Sequence, residues 1–411
     1  MEATTAALGR ARVLAALRTS RDFRLLWTGQ TISLAGDAAF IVALGWRTYT
    51  LTGSPRYLAY VLTLQGVGLL STVLVGGALA DRYDRRAMMI ASDLTRAAVI
   101  GALVVVDATG HLTFGRLAAI ALVEGAGWGF FQPAFGGIVP LLVDQPSLAS
   151  ANALVGISRQ GSLLLGPALA GGLYAVAGSS VVFGFEALSF VCSAAFLWPT
   201  RPREAERGAP EGTLREVAAG FRYVAGAPWL WVSMAIFSIV LMLQFAAIQV
   251  LVPKLVKVHF GLGVGAYGAL ISMLGGGMII GMVIFAQVNP RHRRGMISYG
   301  VWLLNSLLVI GLALSPWYAL AASFAIARGV CIGIGNGIWE TLMMELVPQH
   351  MLSRVVSLDW FGSFGLTPFG FILMSVISGL AAPGTIIAAA AAISACLTVF
   401  GLTLRSVREI D

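Results

Sequence analysis

Charge is what this chain has least of. Only 11% of its 411 residues are charged, against 58% hydrophobic. Soluble domains carry about a quarter charged residues, so a water-exposed globular chain of this size is excluded. Cysteine is almost as scarce. Cys192, Cys331 and Cys396 are odd in number and sit in apolar runs, which argues against a disulfide framework or a zinc site. The four histidines, His111, His259, His292 and His350, are scattered over separate loops or helix ends, so no metal centre is expected. A Gly-x-x-x-x-Gly-Lys-Ser/Thr phosphate loop is missing, which argues against ATP as the energy source. The segment before the first long apolar run holds no short apolar core ending in a cleavage site, so that run is expected to act as its own insertion signal.

Long apolar runs are what the chain has instead. Each needs about 20 residues to cross about 30 Å of hydrocarbon. Twelve are predicted, over 24–46, 57–80, 87–107, 114–143, 149–177, 180–198, 229–253, 264–286, 296–314, 317–346, 355–381 and 385–404. With an N-terminus on the cytoplasmic side, nineteen basic residues fall on inside segments: Arg10, Arg12, Arg18, Arg21, Arg24, Arg82, Arg85, Arg86, Arg201, Arg203, Arg207, Arg215, Arg222, Arg291, Arg293, Arg294, Arg354, Arg405 and Arg408. Only Arg47, Arg56, Arg116, Lys254 and Lys257 fall outside. Basic residues next to membrane helices are retained inside, so both termini are expected in the cytoplasm. The formal charge of +8 then reflects topology and contact with anionic lipid, and no nucleic-acid partner is expected.

The longest polar stretch, 199–228, divides the chain into a six-helix unit over 1–198 and another over 229–411. Within it Leu214, Val217, Phe221 and Val224 recur at helical spacing, which predicts an amphipathic helix on the membrane surface. The halves share a faint pattern: Leu142-Val143-Asp144 precedes Leu148 and Leu154, and Leu346-Val347-Pro348 precedes Leu352 and Leu358 at the same spacing. Duplicated six-helix units with a site near the bilayer midplane are an architecture of secondary transporters.

Between the second and third runs lies Gly77-Ala78-Leu79-Ala80-Asp81-Arg82-Tyr83-Asp84-Arg85-Arg86. This resembles the Gly-x-Leu-Ala-Asp-Arg-x-Gly-Arg-Arg signature of the major facilitator superfamily, with Asp84 in place of the second glycine. The departure, together with Phe23-Arg24-Leu25-Leu26-Trp27, Leu51-Thr52-Gly53-Ser54, Trp339-Glu340-Thr341-Leu342 and Ser353-Arg354-Val355, is similar to the drug:proton antiporter branch containing macrolide and enterobactin exporters. Gly166-Pro167-Ala168-Leu169-Ala170-Gly171 is similar to the antiporter motif of helix five, with Ala170 replacing a glycine. The resemblance implies an all-α fold of twelve transmembrane helices in two pseudo-symmetric six-helix bundles. It implies a conformational latch at Gly77, Asp81, Arg82, Arg85 and Arg86. It also places helices one, four, seven and ten around a central cavity. The helix-four arginine of many proton antiporters falls on Ala121 in this chain.

An ionisable group at the bilayer centre costs roughly 2.5 to 3.5 kcal/mol even on insertion scales, so each one needs a partner or a function. Asp37 shares a helix face with Gln30, Ser33 and Ile41 about 18 Å into the first run. Glu124 shares one with Trp128, Phe131 and Phe135, beside Gln132. Asp37 and Glu124 are the candidates for proton coupling, because burial disfavours the charged form of a carboxyl group. A structural alternative pairs Glu124 with Arg159, and a second pairs Asp93 with Arg96 on one helix face. Gln244, Asn336, Trp339 and Glu340 are further cavity candidates, with Arg328 about 18 Å from Glu340 along its helix. Glu186 is expected to snorkel or to hydrogen-bond a neighbouring helix.

The reading that results is a secondary active transporter of the cytoplasmic membrane, functional as a monomer and needing no cofactor. It exports amphipathic or hydrophobic small molecules in exchange for protons. A facilitator or importer, and a non-transporting sensor on the same fold, stay open as alternatives. A membrane enzyme is disfavoured because no nucleophile, metal ligands or paired acids converge at one membrane face.

Overall fold

A computed structural model describes residues 14–203, 213–288 and 290–410, and every regular element among them is a helix. The long helices are α1 (Arg21–Thr52), α2 (Pro55–Arg82), α3 (Arg85–Ala108), α4 (Phe114–Leu142), α5 (Gln145–Ala177) and α6 (Ser179–Leu197). They continue with α7 (Pro228–His259), α8 (Val264–Val288), α9 (Arg294–Leu314) and α10 (Tyr318–Leu346). α11 is Gln349–Gly365 continued by Thr367–Ile377, and α12 is Pro383–Thr403. Local chemistry sets many of the boundaries. Proline opens α2, α7 and α12, where its missing N–H has no helical partner to lose. The Thr113 side chain caps α4 by accepting from the Arg116 amide. Gly178, at φ +84°, makes the sharp passage from α5 to α6 that residues with a side chain rarely adopt.

Eleven of these helices are long and apolar enough to cross a membrane. The fourth in the expected series of twelve, α4, is a continuous helix of 29 residues, and Glu124, Gln132, Pro133 and Pro140 lower its apolar character. The chain is thus a polytopic, all-helical membrane protein.

The helices group into two compact units. One comprises Met1–Leu51 and Leu64–Arg207, the other Thr52–Thr63 and Gly208–Asp411. The first unit is held by α3 against α4 and α6, the second by α8 against α10 and by α9 against α10 and α12. α7 runs through two π-helical turns, Leu241–Phe245 and Leu255–His259, each of which inserts an extra residue into the helical repeat.

The expected surface helix forms over Thr213–Gly226, although the side chains of Leu214 and Val217 lie outside the described residues, as does 204–212 of the linker. Its described residues present two sides. Val224 is buried in a cluster with Leu230, Met351 and Val355, whereas Phe221 is exposed. Gly220 approaches Arg354 and Leu358 of α11, so the helix is docked on protein through Ala219, Tyr223 and Val224.

Candidate functional site

A group of charges is buried in the first unit, where α1, α3, α4 and α6 converge on one guanidinium. Arg96 of α3 donates from Nη2 to Asp37 Oδ1 of α1 at 2.7 Å and to Glu124 Oε1 of α4 at 2.9 Å. Its Nε reaches the same Glu124 oxygen at 3.2 Å. The face of the guanidinium lies over the Phe190 ring of α6, 3.9 Å from the centroid, so the aromatic quadrupole adds a fourth favourable contact. Two further acids complete the group. Asp93 lies one turn before Arg96 and accepts from Ser193 Oγ at 2.6 Å. Glu186 lies beside Asp37, accepts from Ser189 Oγ at 3.1 Å, and keeps its other carboxyl oxygen without a protein partner.

One cation therefore faces four acids, of which Asp93, Glu124 and Glu186 are buried and Asp37 has 30% of its side chain exposed. Small residues make the convergence possible. A methyl group at Gly127 would come within 2.7 Å of Arg96 Cγ, and one at Gly36 would collide with the Glu186 carboxylate. Polar side chains then fix the acids. Gln65 Nε2 donates to Glu124 Oε2 at 2.6 Å, and Gln30 Nε2 donates at 2.7 Å to Ser193 Oγ, whose own hydroxyl donates a hydrogen bond to Asp93. Such a row of oriented donors polarises along its length in a low-dielectric interior.

Two sequence expectations are corrected here. Glu124 pairs with Arg96, not with Arg159, which is exposed on α5. Asp93 and Arg96 do not neutralise one another as a closed pair on α3. Arg96 reaches away from its own helix to α1 and α4, and Asp93 turns to α6. Gln65 is the member that sequence reasoning missed, while Glu186, expected to snorkel or to hydrogen-bond a neighbouring helix, lies beside Asp37 of α1. The available signal was the excess of acids over bases in the first six runs.

The remaining candidates are dispersed. Gln30 and Ser33 are buried, the former serving the Asp93 row. Trp128 is 36% exposed, while Phe131 is packed in a core cluster with Leu26 and Ile138 and stacks on Phe135 at 5.9 Å. Gln132 is half-buried. In the second unit, Gln244 accepts from Asn305 Nδ2 at 2.9 Å and donates to Ser306 Oγ at 3.2 Å. Asn336 and Glu340 are exposed on α10, and Trp339 Nε1 donates to Asp359 Oδ2 at 3.0 Å.

The signature segment has a clear local structure. Asp84, in the glycine position, is the N-cap of α3 and accepts from the Arg86 amide at 3.0 Å. Arg85 donates to the carbonyls of Ala80 at 3.2 Å and Gly137 at 2.7 Å. Arg86 donates to the carbonyls of Leu197 at 3.2 Å and Trp198, tying the start of α3 to the end of α6. Arg82 is exposed and Gly77 half-buried, and the side chain of Asp81 lies outside the described residues. In the helix-five motif Gly166 packs against Ala35 and Ala38 of α1, where a methyl group would come within 2.6 Å of the Ala38 Cβ, with Pro167 and Gly171 buried beside it.

Relatives with described roles match over almost the full length. The chain is 23% identical over 397 residues to macrolide efflux protein A of Streptococcus pyogenes, covering 95% of this chain and 97% of that protein. It is 26% identical over 403 residues to the enterobactin exporter EntS of Citrobacter koseri, covering 95% and 92%. Two solved transporters share the fold. A bacterial homologue of the iron transporter ferroportin superposes with a TM-score of 0.73 at 16% identity, over 93% of this chain and 99% of that one. The nucleoside transporter NupG does so with 0.72 at 14% identity, over 93% and 98%. The transmembrane secretion effector model matches residues 11–411, and the chain belongs to that family of major facilitator superfamily transporters.

Proposed function

We propose that the chain exports amphipathic or hydrophobic small molecules by alternating access in exchange for protons, with the Arg96 group as the coupling centre. The observation that carries this reading is the bonding of one guanidinium to both Asp37 and Glu124 with two more acids alongside. In a low-dielectric interior, unit charges a few ångströms apart interact by about 4 kcal/mol at an effective dielectric of 20. Four carboxylates cannot share one counter-ion without uncompensated repulsion, so protons on the acids complete the charge balance. Asp37, the acid with access to the outside, exchanges them. Glu124 and Glu186 receive them behind it. Loading and unloading then changes the grip of Arg96 on α1 and α4, which is a differential interaction of the kind that biases two conformations.

The names of the efflux relatives support the direction and the substrate class. The basic residues of the signature segment, with Asp81 as its acid, act as the latch of the closed cytoplasmic side, and both termini lie in the cytoplasm. The chain works as a monomer in the cytoplasmic membrane.

Membrane vesicles with an imposed pH gradient and a panel of fluorescent dyes test the coupling. Asp37→Asn and Glu124→Gln are expected to abolish gradient-dependent dye movement while leaving the chain inserted and folded. Movement at the unmutated rate in both variants removes the group from the mechanism.

A further inference from the structure

The second unit contains a buried cation with no carboxylate paired to it among the described residues. Arg328 of α10 is only 8% exposed, and its Nε donates to no protein atom. The titratable group that acts on it is the Cys331 thiol, one turn further on, and no carboxylate pairs with it among the described residues. A guanidinium stays protonated in proteins, and a charge held in a membrane span without a counter-ion marks a functional position.

A second orphan lies nearby. α9 and α10 pack antiparallel, with the Phe324 ring against Gly311 and the Trp302 indole against Gly335. Arg328 lies between the α10 partners of these contacts and Asn305 between the α9 partners, so both fall in the same stretch of the helix pair. Asn305 is fully buried, and its amide is oriented by its bond to Gln244, which leaves Oδ1 without a donor. The Arg328 Nε and the Asn305 Oδ1 thus stand on neighbouring helices with capacity to spare. Along α10 the positions Arg328, Ile332, Asn336 and Glu340 follow one another at four-residue spacing, and the last two are exposed, so the stripe leads from the buried cation to open surface.

We propose that Arg328 and Asn305 form a subsite for an acidic amphiphile. An anionic oxygen of a carboxylate, sulfonate or phosphate sits on the Arg328 guanidinium, and an adjacent hydroxyl or N–H donates to Asn305 Oδ1. The inference rests on the transport reading above and narrows its substrate class, but it concerns equilibrium binding and needs no proton gradient. Guanidinium recognises planar oxyanions through two parallel bonds, which a lysine cannot reproduce.

Fluorescence titration of the full-length protein in neutral detergent is the test, with 3-hydroxy-2-naphthoate, 2-naphthoate and the cation ethidium as probes. 3-Hydroxy-2-naphthoate is expected to bind more tightly than 2-naphthoate. Arg328→Gln weakens both naphthoates by about tenfold or more and leaves ethidium unchanged, and Arg328→Lys weakens them less. Asn305→Ala removes the advantage of the hydroxylated probe. Failure of the unsubstituted protein to bind either naphthoate overturns the proposal, as does equal naphthoate affinity in Arg328→Gln. Displacement of the naphthoates by added phosphatidylglycerol at equal concentration assigns the subsite to lipid and overturns it as well. If Arg328→Gln does not remain monodisperse, Arg328→Lys and Asn305→Ala decide, and unchanged affinity in both is a negative result. Loss of coupling at Asp37 or Glu124 leaves these titrations unaffected, so the two readings fail separately.

Discussion

Arg96 is bonded by acids 59 residues before it and 28 residues after it, so its removal strands both at once. Breaking a buried ion pair by deleting one partner costs roughly 3 to 5 kcal/mol, because the other charge stays behind uncompensated. Arg96→Gln is therefore expected to lower the melting temperature of the purified protein sharply, and adding Glu124→Gln to the same chain should recover part of the loss. Additive losses in the double variant would show that the two side chains do not act as a pair. The sequence made the acids legible, since Asp37 and Glu124 stand out in apolar runs. It did not make their partner legible. Helical periodicity specifies only neighbours on one helix, and Arg96 in place of Arg159 is a choice made by helix packing at Gly127. The partners of Glu186 were not legible for the same reason: its companions, Asp37 and Arg96, are on other helices.

At the scale of the element, the unusual residue of the signature explains itself. Asp84 occupies a glycine position and caps α3. An N-cap aspartate changed to alanine costs about 1 kcal/mol, and changed to glycine only a few tenths. Asp84→Gly should thus retain stability and transport, while Asp84→Ala should lower the thermal midpoint of the purified protein, with the two compared directly in one melting series. Equal midpoints would mean that the Arg86 amide gains nothing from the cap. Helix number and order were readable because hydrocarbon thickness dictates span length, yet several ends were not. α7 extends to His259, beyond the expected residue 253, because two π turns carry the helix past Pro253. The docked side of Thr213–Gly226 was not legible, because periodicity cannot tell a lipid surface from a protein one: Val224 packs with Met351 and Val355, while Phe221 is exposed.

For the whole molecule, the distribution of arginine predicts the orientation proposed above. In a chain with Cys192, Cys331 and Cys396 replaced by serine, a cysteine at Tyr83 is expected to resist a membrane-impermeant maleimide on intact cells and to react after permeabilisation. A cysteine at His111 is expected to react in both. Both native positions are exposed, so the reversed labelling pattern would invert the topology. The polar stretch between the sixth and seventh runs suggested a division there, whereas the grouping of Thr52–Thr63 with the second unit had no signal in the sequence. The placement of an acid-rich centre in the first unit and a buried arginine in the second was not legible, because it depends on burial. The Arg96 junction also bears on how the chain is made. Asp37 leaves the ribosome 59 residues ahead of its counter-charge, and Glu124 follows that counter-charge by 28. α1 therefore enters the bilayer before the guanidinium that Asp37 bonds to has been made. The bonded trio is complete only once α4 has followed α3, so a chain cut after α2 would carry Asp37 into lipid without its counter-charge.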